Sequence, residues 1–224
     1  MKSIKPLYFT LAVLTFILME GALYMAFLHA PTERTMGDVQ RIFYFHVPSA
    51  WVSFLAFFVV CIASIAFLRT GKAAWDRLAA SSAGIGLLFI TLVLVTGPLW
   101  AKPVWNVYWT WDARLTTSLI LWLIYLAYLM VRSYTSDPER GAKFAAVFGI
   151  IGFLDVPIVY MSIRWWRTLH PAPVIGGGGG LAPEMKAALF FSLFAFTVLY
   201  ITLLLLSFRI RSMEQKIQAL KHNS

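Results

Sequence analysis

The sequence predicts an all-α, polytopic integral membrane protein with six transmembrane helices, on three observations. Of 224 residues, 60% are hydrophobic and 13% charged, against about 45–50% and about 25% in an ordinary soluble domain. The apolar residues gather in runs of around 20, the length a helix needs to cross about 30 Å of hydrocarbon. Alternation in pieces of about ten residues, the mark of a membrane β-barrel, is absent.

In chain order the spans read Leu7–Leu28, Val47–Leu68, Leu78–Leu99, Leu115–Val131, Phe144–Ile163 and Met185–Phe208, in one domain covering 1–224 without repeats. The first run follows Lys2 and Lys5 as a signal peptide would. It is about 22 residues long and lacks a convincing cleavage site, so it is expected to remain as an anchor. An even number of spans puts both termini on one side. That side collects Lys2, Lys5, Arg69, Lys72, Arg77, Arg132, Arg140, Lys143, Arg209, Arg211, Lys216 and Lys221. The other side holds Arg34, Arg41, Lys102, Arg114, Arg164, Arg167 and Lys186. Twelve cations against seven favour cytoplasmic termini.

The net charge of +9 is spread between apolar runs and forms no patch, so it sets topology and gives no case for nucleic-acid binding. The single cysteine, Cys61, excludes a disulfide framework, a CxxC redox pair and covalent haem attachment through CxxCH.

The unusual chemistry lies in three outward connections: Ala30 to His46, Pro98 to Arg114, and Arg164 to Glu184. Seven of nine tryptophans (Trp51, Trp100, Trp105, Trp109, Trp111, Trp165 and Trp166) fall at or beyond outward span ends. An interfacial belt would decorate both faces. The skew points to an aromatic platform, densest in the segment 98–117, where WAKPVWNVYWTWD sets Trp100, Trp105, Tyr108, Trp109 and Trp111 beside Asp112. If Val104–Ala113 is helical, Trp105, Tyr108, Trp109 and Asp112 share one face; if it is a strand, Trp105, Trp109 and Trp111 do. Asp112 and Arg114 pair, cap the next helix or contact a ligand, with capping the leading role for Asp112.

Four histidines occur: His29, His46, His170 and His222. His46, in FYFHVPSAW, and His170, in RWWRTLHPAP, flank the tryptophan segment in matching outward loops. Two imidazoles at one depth around an aromatic surface are what axial ligation of a haem iron needs. Arg41, Arg114, Arg164 and Arg167 suit haem propionates, and equally suit lipid headgroups or a partner.

These stretches, RIFYFHVPSAW, GPLWAKPVWNVYWTWDARLT and WWRTLHPAP, resemble the outward landmarks of the CcmC family of haem handling proteins of cytochrome c maturation, over nearly the whole chain. The resemblance implies His46 and His170 as axial ligands of a non-covalently held haem b, and Trp105, Trp109, Trp111 and Asp112 as the family's WWD core. It implies a bacterial inner (cytoplasmic) membrane protein, not an enzyme, with its haem site facing the periplasm. Its expected partners are a haem chaperone of CcmE type, transporter subunits of CcmA and CcmB type, a small single-span subunit of CcmD type, and the bilayer. The family pattern usually has glycine at Asn106 and often at Ala101.

Two further features stand out. Asp155, inside the fifth span and near Pro157, would cost about 2.5–3.5 kcal/mol at a helix centre, so it is expected to face the bundle or water. Gly176 to Gly180 reads as a flexible tether beside the His170 loop. Two other functions fit the composition. A quinone-reactive cytochrome b would need histidine pairs within its spans, and a haem or solute permease subunit would need a polar path across them.

Overall fold

The structure, a computed structural model, describes residues 6–135, 137–168, 170 and 180–222. Its helices are α1 (Pro6–Tyr24), α2 (Phe43–Thr70), α3 (Ala73–Trp105), α4 (Ala113–Tyr134), α5 (Pro138–Trp165) and α6 (Pro183–His222). A π-helical turn, Met25–His29, continues α1, and a 3-10 turn, Asp38–Ile42, leads into α2. Six helical stretches are long and apolar enough to cross a membrane, as expected. Among the described residues the only extended pairing is a single bridge between Glu33 and Gly37. Of the glycine run, 176–179 lies outside the described residues.

Local chemistry explains the helix ends. Gly71 stops α2 with φ 66°, a left-handed conformation that costs glycine little. Asp137 caps α5 by accepting from the backbone N–H groups of Glu139 and Arg140, with Pro138 as its first residue. α3 runs on past Pro98 and Pro103, and ends where Asn106 turns left-handed, φ 59° and ψ 16°. Lys102 Nζ donates to the Asn106 carbonyl and side-chain oxygens at 3.1 and 2.9 Å.

α2, α3, α4 and α5 enclose the main core, where the Phe57 and Tyr125 rings stack 3.6 Å apart. Lipid tails give helices little hydrophobic reason to associate, so small residues and interhelical hydrogen bonds hold the bundle. A Cβ on Gly86 would lie 2.5 Å from Phe57 Cε1, and one on Gly149 would lie 2.8 Å from Val60 Cγ1. Ser82 Oγ donates to the Ala56 carbonyl at 2.8 Å and accepts from the Tyr200 hydroxyl at 2.9 Å, joining α3, α2 and α6. Thr15 and Thr202 join α1 to α6 at 2.8 Å.

Arg209 sits over the Tyr8 ring at 4.6 Å, which brings the beginning of α1 and the later part of α6 to the same end of the bundle. Near that end Arg132 binds Asp76 through two nitrogens, at 2.5 and 2.8 Å. The tryptophan segment, His46 at the start of α2 and His170 lie at the opposite end.

Candidate functional site

At this second end a cavity of about 810 Å³, partly open to the outside, is walled by α2, α3, α4, α5 and the 106–112 connection. His46 and His170, separated by 124 positions in the sequence, both line it.

His46 is placed by the start of α2. The preceding loop is fastened by Glu33, whose carboxylate accepts from the backbone of Thr35 at 2.7 Å and Met36 at 2.5 Å. The Met36 bond leads in holding that carboxyl below its usual range. Val39, Ile42, Phe43 and Tyr44 then pack with Trp100 and Met185. This leaves His46 buried, its ring 6.2 Å from that of Trp100 and its Nδ1 2.8 Å from Thr96 Oγ1. α3 passes close to the ring at Gly97, where a Cβ would stand 3.4 Å from His46 Cε1, in van der Waals contact.

The tryptophan segment is neither the helix nor the strand expected over Val104–Ala113. Its first part is the last turns of α3, and 106–112 is irregular because Asn106 breaks the helix there. The flat stripe is therefore replaced by a bent wall in which Trp100, Trp105, Tyr108, Trp109 and Asp112 line the cavity. Trp111 is 76% exposed and meets Trp109 edge-on, with ring centres 5.6 Å apart and planes at 79°. It braces the outside of the wall and is not among the lining residues. The indole nitrogens of Trp100 and Trp109 are buried without an acceptor among the described residues.

Asp112 caps α4, the role that led on sequence grounds, accepting from Arg114 N at 2.9 Å and Leu115 N at 3.3 Å. It also accepts from Thr110 Oγ1 at 2.6 Å and hydrogen-bonds the side chain of Thr168. Partial burial pushes its carboxyl upward, but these donors outweigh it and hold the carboxyl below its ordinary 3.8. The His170 backbone N–H donates in turn to Thr168 Oγ1 at 3.1 Å. One carboxylate thus ties the aromatic wall, α4 and the His170 segment together.

The four arginines divide. Arg114 lines the cavity, and its guanidinium donates to the α5 carbonyls of Val159 at 2.5 Å and Tyr160 at 3.4 Å. Arg41 lies away from the lining and is engaged with the Ala26 and Ala30 carbonyls, Thr32 and Asp38. Arg164 stands over the Tyr160 ring at 5.9 Å; it and Arg167 are exposed and outside the lining. His29 is exposed at the end of its turn. Asp155 is half-buried in α5, with Oδ2 unpartnered among the described residues, and is not a lining residue.

Thr96, Thr168 and Ser118 also belong to this site and were not singled out from the sequence. A threonine or serine in an apolar run carries little signal, because its partner is supplied by another part of the chain. Thr168, two residues before His170, is the one whose position offered a clue.

The profile of the CcmC family, described as heme exporter protein C, matches residues 1–223. The chain is 39% identical to heme exporter protein C of Bradyrhizobium diazoefficiens over 94% of its length and 81% of that protein. It is 35% identical to the Haemophilus influenzae protein of that name, over 95% of this chain and 86% of the relative. It is also 38% identical to a putative cytochrome c biosynthesis ccmC-like mitochondrial protein of Marchantia polymorpha, over 75% and 72% of the two chains. A whole-length family match that includes both histidine segments and the tryptophan wall places this chain in the heme exporter protein C family, CcmC.

Proposed function

We propose that this protein binds haem b without covalent attachment at the outer face of the bacterial inner membrane. It then hands the haem to a membrane-anchored chaperone of CcmE type for c-type cytochrome assembly. It acts as a carrier and performs no catalysis. Transporter subunits of CcmA and CcmB type and a small subunit of CcmD type are its working partners.

The observation that supports this reading best is the convergence of His46 and His170 on one aromatic-walled cavity. Other features of the cavity suit the cargo. Trp100, Trp105 and Trp109 offer apolar surface to a large planar macrocycle. The indole N–H groups of Trp100 and Trp109, without an acceptor among the described residues, together with the Arg114 cation, suit its carboxylates. The hydrogen bonds from Arg114 to α5 use one of its three guanidinium nitrogens, which leaves the fork able to serve a second partner. Handover requires that the iron exchange its bonds to these imidazoles for a bond to the acceptor, with the macrocycle intact.

The test is the visible spectrum of the purified protein. A low-spin b-type haem is expected, with His46→Ala and His170→Ala each lowering low-spin content. Two variants with unchanged spectrum and haem content would refute the ligand assignment. Chaperone transfer is checked by mixing haem-loaded protein with apo-chaperone in detergent and following haem to the second protein.

A further inference from the structure

The Thr96 hydroxyl stands between two groups. Its Oγ1 lies 2.7 Å from the Leu92 carbonyl oxygen, one turn back on α3, and 2.8 Å from His46 Nδ1 on α2. A hydroxyl has one proton, and a carbonyl oxygen can only accept. Two oxygens 2.7 Å apart need a proton between them, so the Thr96 proton goes to Leu92. Toward His46 the same oxygen then presents a lone pair, and the short contact to Nδ1 requires an N–H there. A neutral imidazole protonated at Nδ1 carries its lone pair at Nε2. The surroundings hold the ring in this pose: it is buried, tilted 60° to Trp100, and approached at Cε1 by the Gly97 position.

We infer that Thr96 is a positioning residue that fixes the tautomer and orientation of His46, so that Nε2 is the atom offered to the haem iron. The inference rests on the reading of His46 as an axial ligand. The arrangement makes the His46 lone pair available before cargo arrives, and the hydrogen bond at Nδ1 strengthens the imidazole as a donor. It also explains a threonine in an otherwise apolar turn of α3: valine would fill the same volume but could not accept the Nδ1 proton.

Two measurements on the full-length protein in detergent test this. In the haem-free protein at neutral pH, histidine labelled with nitrogen-15 and assigned by loss of the signal in His46→Ala should give the pattern of a neutral ring protonated at Nδ1. An Nε2-protonated or doubly protonated ring overturns the inference without using haem. In the haem-loaded protein, Thr96→Val should weaken haem retention about 10- to 100-fold, the usual effect of removing a partner one step behind a metal ligand. It should also shift the low-spin spectrum and midpoint potential, and Thr96→Ser should restore both. If Thr96→Val matches wild type while His46→Ala loses the low-spin spectrum, the role of Thr96 is refuted and that of His46 stands. If His46→Ala is also unchanged, both fail.

Discussion

Replacing Asp112 separates its mechanical role from direct contact with cargo. In Asp112→Ala the backbone N–H groups of Arg114 and Leu115 lose their cap, and the Thr110 and Thr168 hydroxyls lose a charged acceptor. Loss of a cap costs typically about 1 kcal/mol. Each hydrogen bond to a charged group contributes about 1.5–3 kcal/mol, toward or below the low end here because the carboxylate is partly exposed to water. Together the loss comes to about 2–3 kcal/mol, or a fall on the order of 5–10 °C in unfolding midpoint for a chain of this size. Intrinsic tryptophan fluorescence during heating in detergent reads it.

The same substitution releases Thr168, two residues before His170, so haem-loaded Asp112→Ala should shift from low-spin toward high-spin haem in the direction of His170→Ala, with His46 still in place. Asp112→Asn can still cap α4 and accept one hydroxyl, and should lie closer to wild type. Acid provides a second check. The folded carboxyl titrates below its unfolded value, so its contribution is fully present above the ordinary 3.8 and is lost as pH falls through the lower folded value. Asp112→Asn removes that contribution to acid sensitivity. An Asp112→Ala protein with wild-type midpoint and wild-type low-spin spectrum would refute the reasoning.

Three other outcomes follow from the packing. Gly149→Ala should destabilise by about 1–3 kcal/mol, seen as a lower melting midpoint, because its Cβ would meet Val60 and Ser64 at 2.8 and 2.9 Å; a wild-type midpoint would mean that α2 and α5 are not this close. Asp76→Asn and Arg132→Met should be strongly non-additive in a double-mutant cycle, with a coupling of about 1–3 kcal/mol, since the ion pair is bidentate and mostly shielded; simple additivity would argue against the pair. Glu20 lies exposed among the apolar residues of α1, fourteen positions into the helix. A charge at helix centre costs about 2.5–3.5 kcal/mol on insertion scales, so Glu20→Leu should raise membrane insertion of α1 in a reporter assay, and equal insertion would place Glu20 away from the hydrocarbon.

The span count was legible because the length of an apolar run is a one-dimensional property, and the bilayer imposes it on the sequence directly. The end of α3 was not. The third span is expected to end at Leu99, and Pro98 and Pro103 each remove an N–H from the helical ladder. The helix continues through both, with Trp100 and Ala101 buried at this end and Trp100 packed in a cluster with Phe43, Tyr44 and Met185. Tertiary burial overrides the local penalty, and the stop falls to Asn106 instead. That residue carried a clue, because asparagine tolerates left-handed backbone better than most side chains.

The chemistry of the site was legible at the level of residue type and much less at the level of reach. His46 and His170 stood out because histidine is rare in this chain and both lie beside the aromatic segment. The four outward arginines looked equivalent by charge, yet they differ in what each can touch. Arg41 is turned onto the carbonyls that end the first helical stretch, Arg164 lies over Tyr160, and Arg114 reaches across to α5 while lining the cavity. What separates them is the three-dimensional address of their acceptors, 15 and 11 residues away for Arg41 and 45 for Arg114. Thr96 shows the same principle more sharply. Its hydroxyl oxygen matters through a hydrogen bond to a histidine 50 residues earlier, and no spacing rule within either helix could have joined them. In a bundle whose helices are uniformly apolar, the residues that hold ligands in place are single polar atoms, each meaningful only beside the neighbouring helix.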